Sequence, residues 1–343
     1  MRPRHSQIIV GMALAMLAST AQAQTSGAVQ PSRVFELPRD GRRGEPPVIT
    51  AVALSPDVKL LASAGDDHLV RVWRLADGEL MHTFRGHADW VRTLAFEPHG
   101  KTLASAGDDR RIIWWDLATG RTLRTSDGDG PAVFCLRYSP DGRTLAAVGF
   151  ADKLSLFDGK THAFASELEC PCSDMRALAF SPDGRLLAGA GRNGKLRVWN
   201  VADGEQLLEF DAHHQRVRTL VFSADGMLLA SGGDDRVIKI WDVATGHKSA
   251  SLPGQSGKVR AIVFCGPGRL AVGGTDNLVR VWRIETGAEE LTLAGHEGSV
   301  TALDYDPAAE MLVSGSFDTS LRVWRLAQQK KDKMTRQPRR RVR

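Results

Sequence analysis

The sequence predicts an all-β protein built as a radial array of seven small antiparallel sheets. Three observations carry this. Residues 212–242 hold three short alternating apolar runs, at 217–222, 228–231 and 237–241. Ser223-Ala224-Asp225-Gly226 and Gly232-Gly233-Asp234-Asp235 separate them, and alternation bounded by such clusters reads as strands joined by tight turns. The unit then recurs: Trp73, Trp115, Phe157, Trp199, Trp241, Trp282 and Trp324 are equivalent, stepped by 42, 42, 42, 42, 41 and 42 residues. A period of about 40 with strand–turn–strand content marks a radial repeat. A sheet this small cannot bury both faces alone, so each unit needs neighbours like itself.

These units resemble the WD-repeat (WD40) β-propellers. The resemblance rests on Gly86-His87, Ala212-His213 and Gly295-His296, which open repeats, and on Trp115-Asp116 and Trp241-Asp242, which close them. The turns Ser139-Pro140-Asp141-Gly142 and Ser181-Pro182-Asp183-Gly184 add to it. It covers residues 33–325 and implies a seven-bladed β-propeller of four-stranded antiparallel blades.

In chain order, Arg2 and Arg4 precede an apolar run at 8–17 and then Ala21-Gln22-Ala23. That is the pattern of a secretory signal peptide (residues 1–23) cleaved after Ala23. The run is too short for a permanent span, so the mature chain is expected without a transmembrane helix and exported, periplasmic or secreted. Residues 24–32 read as a polar linker. Val34-Phe35-Glu36-Leu37-Pro38 aligns with the outer-strand segments at 80–84 and 207–210, yet precedes the first unit, and nothing comparable follows Trp324. It is expected to supply the outermost strand of the last blade and so close the ring. Within units, the glycines of Ala118-Thr119-Gly120 and Ala244-Thr245-Gly246 provide the positive φ of a tight hairpin.

Three units carry a full polar set: His87/Ser105/Asp109/Trp115, His213/Ser231/Asp235/Trp241 and His296/Ser314/Asp318/Trp324. In the family such sets run as hydrogen bonds from indole through hydroxyl and imidazole to carboxylate, and the resemblance implies the same here. The physical reason is that a buried indole N–H and a buried carboxylate each need a partner. Ser, His and Asp together also suit a hydrolase, but three copies at one internal repeat position read as structure. Elsewhere Glu45 stands in the His position, Phe157 replaces Trp, repeat 4 has Gly189 and Asn193, and repeat 6 has Val272 and Gln255. Those blades are expected to rest mainly on apolar packing, with repeats 3 and 4 the irregular region. Cys135 is placed to pair with Cys170 or Cys172 in an exported protein, or all three serve as small free hydrophobes. Cys-Pro-Cys lacks zinc-like spacing, so no metal is expected, and no cofactor motif is present.

The resemblance implies that the loop before each inner strand and the turn before each family-type Asp face the mouth of the central channel. Those positions hold Trp90, Arg92, Phe134, Phe150, Arg176, Arg192, Arg216, Arg218, Lys258, Arg260 and Phe317, with Asp66, Asp108, Asp174 and Asp234 as the acidic part. Arginine forks suit carboxylates and phosphates, and aromatic–arginine surfaces anchor protein interfaces. The competing reading is that these arginines simply pair with Asp66, Asp108 or Asp234 at the rim. Trp114 lies within a strand and is expected to pack between blades.

The whole chain carries +5, or +3 without Arg2 and Arg4, while residues 326–343 hold eight basic residues and one acid. The tail's +7 leaves residues 24–325 at −4, so the basic balance belongs to a tail of disordered composition. Such a tail suits an anionic surface or acidic partner; nucleic acid is out of place in that compartment. The leading function is a non-catalytic protein–protein interaction scaffold that presents its Arg/aromatic-rich channel mouth to a partner protein. The alternative is an exported ligand-binding or lactonase-like hydrolytic propeller with its site at the same mouth.

Overall fold

A computed structural model of the chain describes residues 29–37, 46–170, 172 and 174–326. The expected signal peptide, most of the linker, Pro38, Glu45 and the tail beyond Leu326 lie outside the described residues.

Blade 5 shows how the local sequence builds the unit. Its strands are Val217–Phe222, Leu228–Gly233, Ile238–Asp242 and Lys248–Ser251, paired antiparallel in that order. The first turn closes because Ser223 Oγ takes the Leu228 N–H (2.9 Å) and Asp225 takes the Met227 N–H (2.9 Å). Gly226 sits there at φ +73°, a conformation that a Cβ would strain. Asp242 and Gly246 make the corresponding turn before the outer strand, with Gly246 donating to the Asp242 carbonyl at 2.9 Å.

The same four-stranded antiparallel sheet occurs seven times among the described residues, its inner strand beginning at Ile49, Val91, Val133, Met175, Val217, Val259 and Val300. Blades 3 and 4, expected to be irregular, keep the four-stranded pairing, because strand hydrogen bonds do not need the polar set that they lack; blade 3 shows only a shorter pairing of its second and third strands, four positions where the other blades have five. Sequential blades bury seven apolar clusters, each shared by two neighbours, and the seventh joins blade 7 to blade 1. The stacking that a lone sheet cannot supply is thus completed in a circle.

The N-terminal strand Arg33–Glu36 is the outermost strand of blade 7, pairing antiparallel with Ser320–Arg325. It also reaches both neighbours. Val29 donates to the Thr292 carbonyl of blade 6 (3.1 Å), and Arg33 donates to the Leu75 carbonyl of blade 1 (2.8 Å). Phe35 packs edge-on against Trp73 of blade 1 at 5.8 Å between ring centroids.

In blades 2, 5 and 7 the polar sets are assembled alike. Trp115, Trp241 and Trp324 donate Nε1–H to Ser105, Ser231 and Ser314 at 2.8, 2.8 and 3.0 Å. Each hydroxyl meets the imidazole Nε2 of His87, His213 or His296 at 2.7 Å, and each Nδ1 meets Asp109, Asp235 or Asp318 at 2.8 Å. Burial is the largest single influence and would raise these carboxyls, but the imidazole hydrogen bond, the attraction of the imidazole and backbone N–H donors together outweigh it and hold all three below the ordinary aspartate range.

The expectation that the remaining blades rest mainly on apolar packing is corrected in blades 1 and 6. In blade 1 the third strand supplies Arg71, fully buried, whose guanidinium meets Asp67 at 2.6 Å, while Trp73 donates to Ser63 at 3.0 Å. In blade 6 Arg280 takes the corresponding place and pairs with Asp276, which also accepts the Ser256 hydroxyl. A long cation from the same sheet therefore substitutes for the imidazole. Blade 6 lacks the serine, and Trp282 Nε1 is buried without a partner. In blade 3 the smaller Phe157 is backed by Trp114 from blade 2, which meets it edge-on at 5.7 Å and stacks on His162 at 5.2 Å. Cys135, Cys170 and Cys172 are free thiols buried in the junction of blades 3 and 4. Burial pushes the Cys170 thiol up to about 11, against the opposing pull of Arg197.

Candidate functional site

One backbone device places side chains at the channel mouth in blade after blade. The second strand ends in a glycine whose would-be Cβ collides with the loop carbonyl before the inner strand: Gly107 with Trp90 O at 1.9 Å, Gly233 with Arg216 O at 2.1 Å. The residue after that glycine then donates its N–H to the same carbonyl, Asp108 to Trp90 and Asp234 to Arg216, both at 2.9 Å. Two mouth residues are thereby fixed side by side. A third, the second residue of the inner strand, lies at a register shift of the ladder, as between Val91 and Thr93, and points into the channel.

Those second residues form a ring: Thr50, Arg92, Phe134, Arg176, Arg218, Arg260 and Thr301 line a cavity of about 320 Å³ together with Phe317. Six of the sequence-predicted residues are brought together there. Trp90, Phe150, Arg192, Arg216 and Lys258 do not line the cavity; the same backbone device sets them on the rim around it. Thr50 and Thr301 complete the ring and were missed, because a threonine in a strand carries no functional signal in sequence.

Most of the arginines have partners. Arg92 grips Asp108 with Nε at 3.0 Å and Nη2 at 2.5 Å, and lies 4.4 Å from the Trp90 ring centroid. Arg218 grips Asp234 at 3.0 and 2.9 Å. Blade 4 has Arg192 at the turn, and Arg176 pairs instead with Asp174, only 2% exposed. Asp174 also receives Arg216 of blade 5 at 2.6 Å, so one carboxylate ties two blades. Arg176 also lies against the edge-to-face pair of Phe134 and Phe150, 3.4 Å from the Phe134 centroid and 4.7 Å from that of Phe150. Burial pulls its guanidinium below the ordinary arginine range, opposed by Asp174. Asp66 accepts the Val48 N–H at 2.9 Å. The rim-pairing reading thus describes Arg92 and Arg218, while Asp66 serves the backbone.

Among the described residues, no group of three or more His, Cys, Asp or Glu is placed to hold a metal ion, and no helix is long and apolar enough to cross a membrane. The four mouth carboxylates point to arginines or to a backbone N–H. What this face offers is planar cations fixed by neighbours, with exposed aromatic surface at Phe150 and Phe317.

Comparison with known proteins agrees with the architecture. A 54-residue stretch is 46% identical to the probable serine/threonine-protein kinase PkwA of Thermomonospora curvata; it makes up 14% of this chain and 7% of that protein. The chain thus spans a small fraction of that relative's length. The WD domain, G-beta repeat family matches seven times, over residues 40–74, 78–116, 120–158, 164–200, 204–242, 246–283 and 287–325. With its blades, its ring closure and these seven matches, the chain belongs to the WD40 repeat family.

Proposed function

We propose that this propeller is a non-catalytic scaffold that holds a partner protein on its channel-mouth face. Propellers of the family are commonly protein-interaction scaffolds. The observation that carries the reading is the contact of Arg176 with the edge-to-face pair Phe134 and Phe150, beside the Arg92–Trp90 stack, on a face whose set of seven cations exceeds its four carboxylates. Rigid, partly desolvated arginine and aromatic side chains are the residues that dominate interface energetics. A lactonase-like site would need carboxylates free to hold a metal, and these are engaged by arginines and backbone. We include export in the proposal, on the strength of residues 1–23, with the basic tail as a secondary contact for anionic surfaces.

The test is affinity capture with the parent, with Trp90→Ala/Arg92→Ala, and with Leu123→Ala on the outer strand of blade 2. A partner retained by the parent and by Leu123→Ala, but weakened about thirtyfold or more by the mouth variant, supports the proposal. An identical partner list for all three refutes it.

A further inference from the structure

Seven repeats bring the same three positions to the mouth, so an exception stands out against its own controls. Wherever a ring arginine occurs in blades 2, 4 and 5, a carboxylate of the mouth holds it: Asp108 for Arg92, Asp174 for Arg176, Asp234 for Arg218. Blade 6 keeps the ring arginine, Arg260, but has Thr275 at the turn and Lys258 before the inner strand. Thr275 Oγ1 accepts the Lys258 N–H at 2.9 Å, the role that the Asp66 carboxylate fills for Val48 in blade 1. The backbone requirement is met and the negative charge is gone.

Among the described residues, neither the Arg260 guanidinium nor the Lys258 ammonium has a hydrogen-bond or ion-pair partner. Asp234, whose field Arg260 feels, is committed to Arg218. Burial pulls Arg260 below the ordinary arginine range and Arg218 adds to the effect, so this cation is half-desolvated among like charges without a counter-ion of its own.

We propose that Arg260, flanked by Lys258 and Arg218, is an open carboxylate-binding subsite that receives an acidic side chain from a segment of the partner protein. This rests on the reading of the mouth as a docking face. A carboxylate fits because the same backbone position seats one in blades 2 and 5, gripped through Nε and Nη2. A protein segment fits because the cavity of about 320 Å³ has apolar walls at Phe134 and Phe317, the latter 43% exposed, to cover a side chain's aliphatic part.

Isothermal titration with an acetylated penta-glutamate amide at low ionic strength tests it, using Arg260→Gln, Thr275→Asp and Arg121→Gln. Each variant lowers the net charge by the same unit, and Arg121 is exposed on blade 2 away from the mouth. Thr275→Asp gives Arg260 the internal partner that Arg92 and Arg218 already have. The parent should bind, Arg260→Gln and Thr275→Asp should each weaken binding about tenfold or more, and Arg121→Gln by less than about twofold. Thr275→Asp should also melt no lower than the parent, which separates loss of the subsite from loss of the fold. No binding by the parent, equal weakening by all three variants, or full binding by Thr275→Asp overturns the proposal. Succinate binding as tightly as the peptide also overturns it, because the occupant would then be a free small anion. If capture of the partner falls with Trp90→Ala/Arg92→Ala yet is unchanged in Thr275→Asp, the docking face stands and the subsite falls.

Discussion

The serine of the buried polar set sets a quantitative scale for what holds a blade together. Ser231 Oγ is fully buried, accepts the Trp241 indole N–H at 2.8 Å and meets His213 Nε2 at 2.7 Å. Ser231→Ala removes one small hydroxyl and strands two polar atoms, the indole N–H and the imidazole nitrogen, both on side chains almost wholly buried. A stranded buried group costs about 1–3 kcal/mol, so the variant should lose about 2–4 kcal/mol once local relaxation is allowed. Blade 1 provides the control. Ser63 is equally buried but, among the described residues, serves only Trp73, at 3.0 Å, because this blade uses Arg71 against its aspartate. Ser63→Ala should therefore cost about half as much, about 1–2 kcal/mol. Urea unfolding followed by far-UV circular dichroism gives both numbers from the shift in midpoint at constant slope. The double variant His213→Ala/Ser231→Ala should cost less than the sum of its singles, since the second removal strands nothing new. A Ser63→Ala variant as damaging as Ser231→Ala, or a strictly additive double variant, would refute the account of a linked chain.

Three further outcomes follow from the same geometry. Asp109, Asp235 and Asp318 have folded-state pKa values below their unfolded ones, so the stability they lend is present above the unfolded value and lost as pH falls through the folded one. The urea midpoint should decline below about pH 4, and Asp235→Asn should shallow that decline; an unchanged slope refutes it. Arg71→Leu leaves Asp67, whose side chain is 4% exposed, without its cation, and should cost about 3–5 kcal/mol, where Arg71→Leu/Asp67→Leu should recover most of the loss. Removing residues 29–37 deletes the outer strand of blade 7 together with its contacts to blades 6 and 1, so the ring should melt at lower temperature in one transition. A truncated chain that melts like the parent would show that closure is not what holds the ring.

Spacing made the blades legible. An aromatic side chain every 41 or 42 residues, an indole in all units but the third, fixes the third strand of each unit, and the Ser-Pro-Asp-Gly and Ala-Thr-Gly turns fix the strands on either side. The N-terminal closure was readable too, because Val34 to Leu37 matches an outer strand and has no blade of its own. What the sequence hid was replacement across positions that are not equivalent. Arg71 and Arg280 stand in a strand where blade 2 has Ile113, and nothing local tells that their guanidinium groups reach back to do the work of a histidine that precedes the blade. At the mouth the positions were legible but the pairings were not. Arg176 takes Asp174 two residues before it, because blade 4 has Arg192 at its turn, but that Asp174 also takes Arg216 of blade 5 depends on the distance between neighbouring blades, which repeat spacing does not encode.

On the proposed docking face, those pairings set which part of the mouth an incoming side chain could reach. On the side of blades 4 and 5 the mouth charges other than the exposed Arg192 are internally satisfied: Asp174 holds Arg176 and Arg216, and Asp234 holds Arg218. An incoming carboxylate there would have to compete with an acid that is already seated and pays no cost of immobilisation, so this arc acts as a rigid wall. On the side of blades 6 and 7 the opposite holds, with Arg260 and Lys258 lacking acid partners among the described residues and Phe317 exposed beside them. Blades 2 and 3 add Trp90 and Phe150 at the rim. Recognition should therefore be lopsided, with its energy concentrated on the arc from blade 6 through blade 1 to blade 3. Alanine substitution at Phe317 or Arg260 should weaken partner capture far more than Arg192→Ala, an exposed cation above the satisfied arc. Equal losses around the whole rim would mean that the partner reads the net charge of the mouth and not the gap left at Thr275.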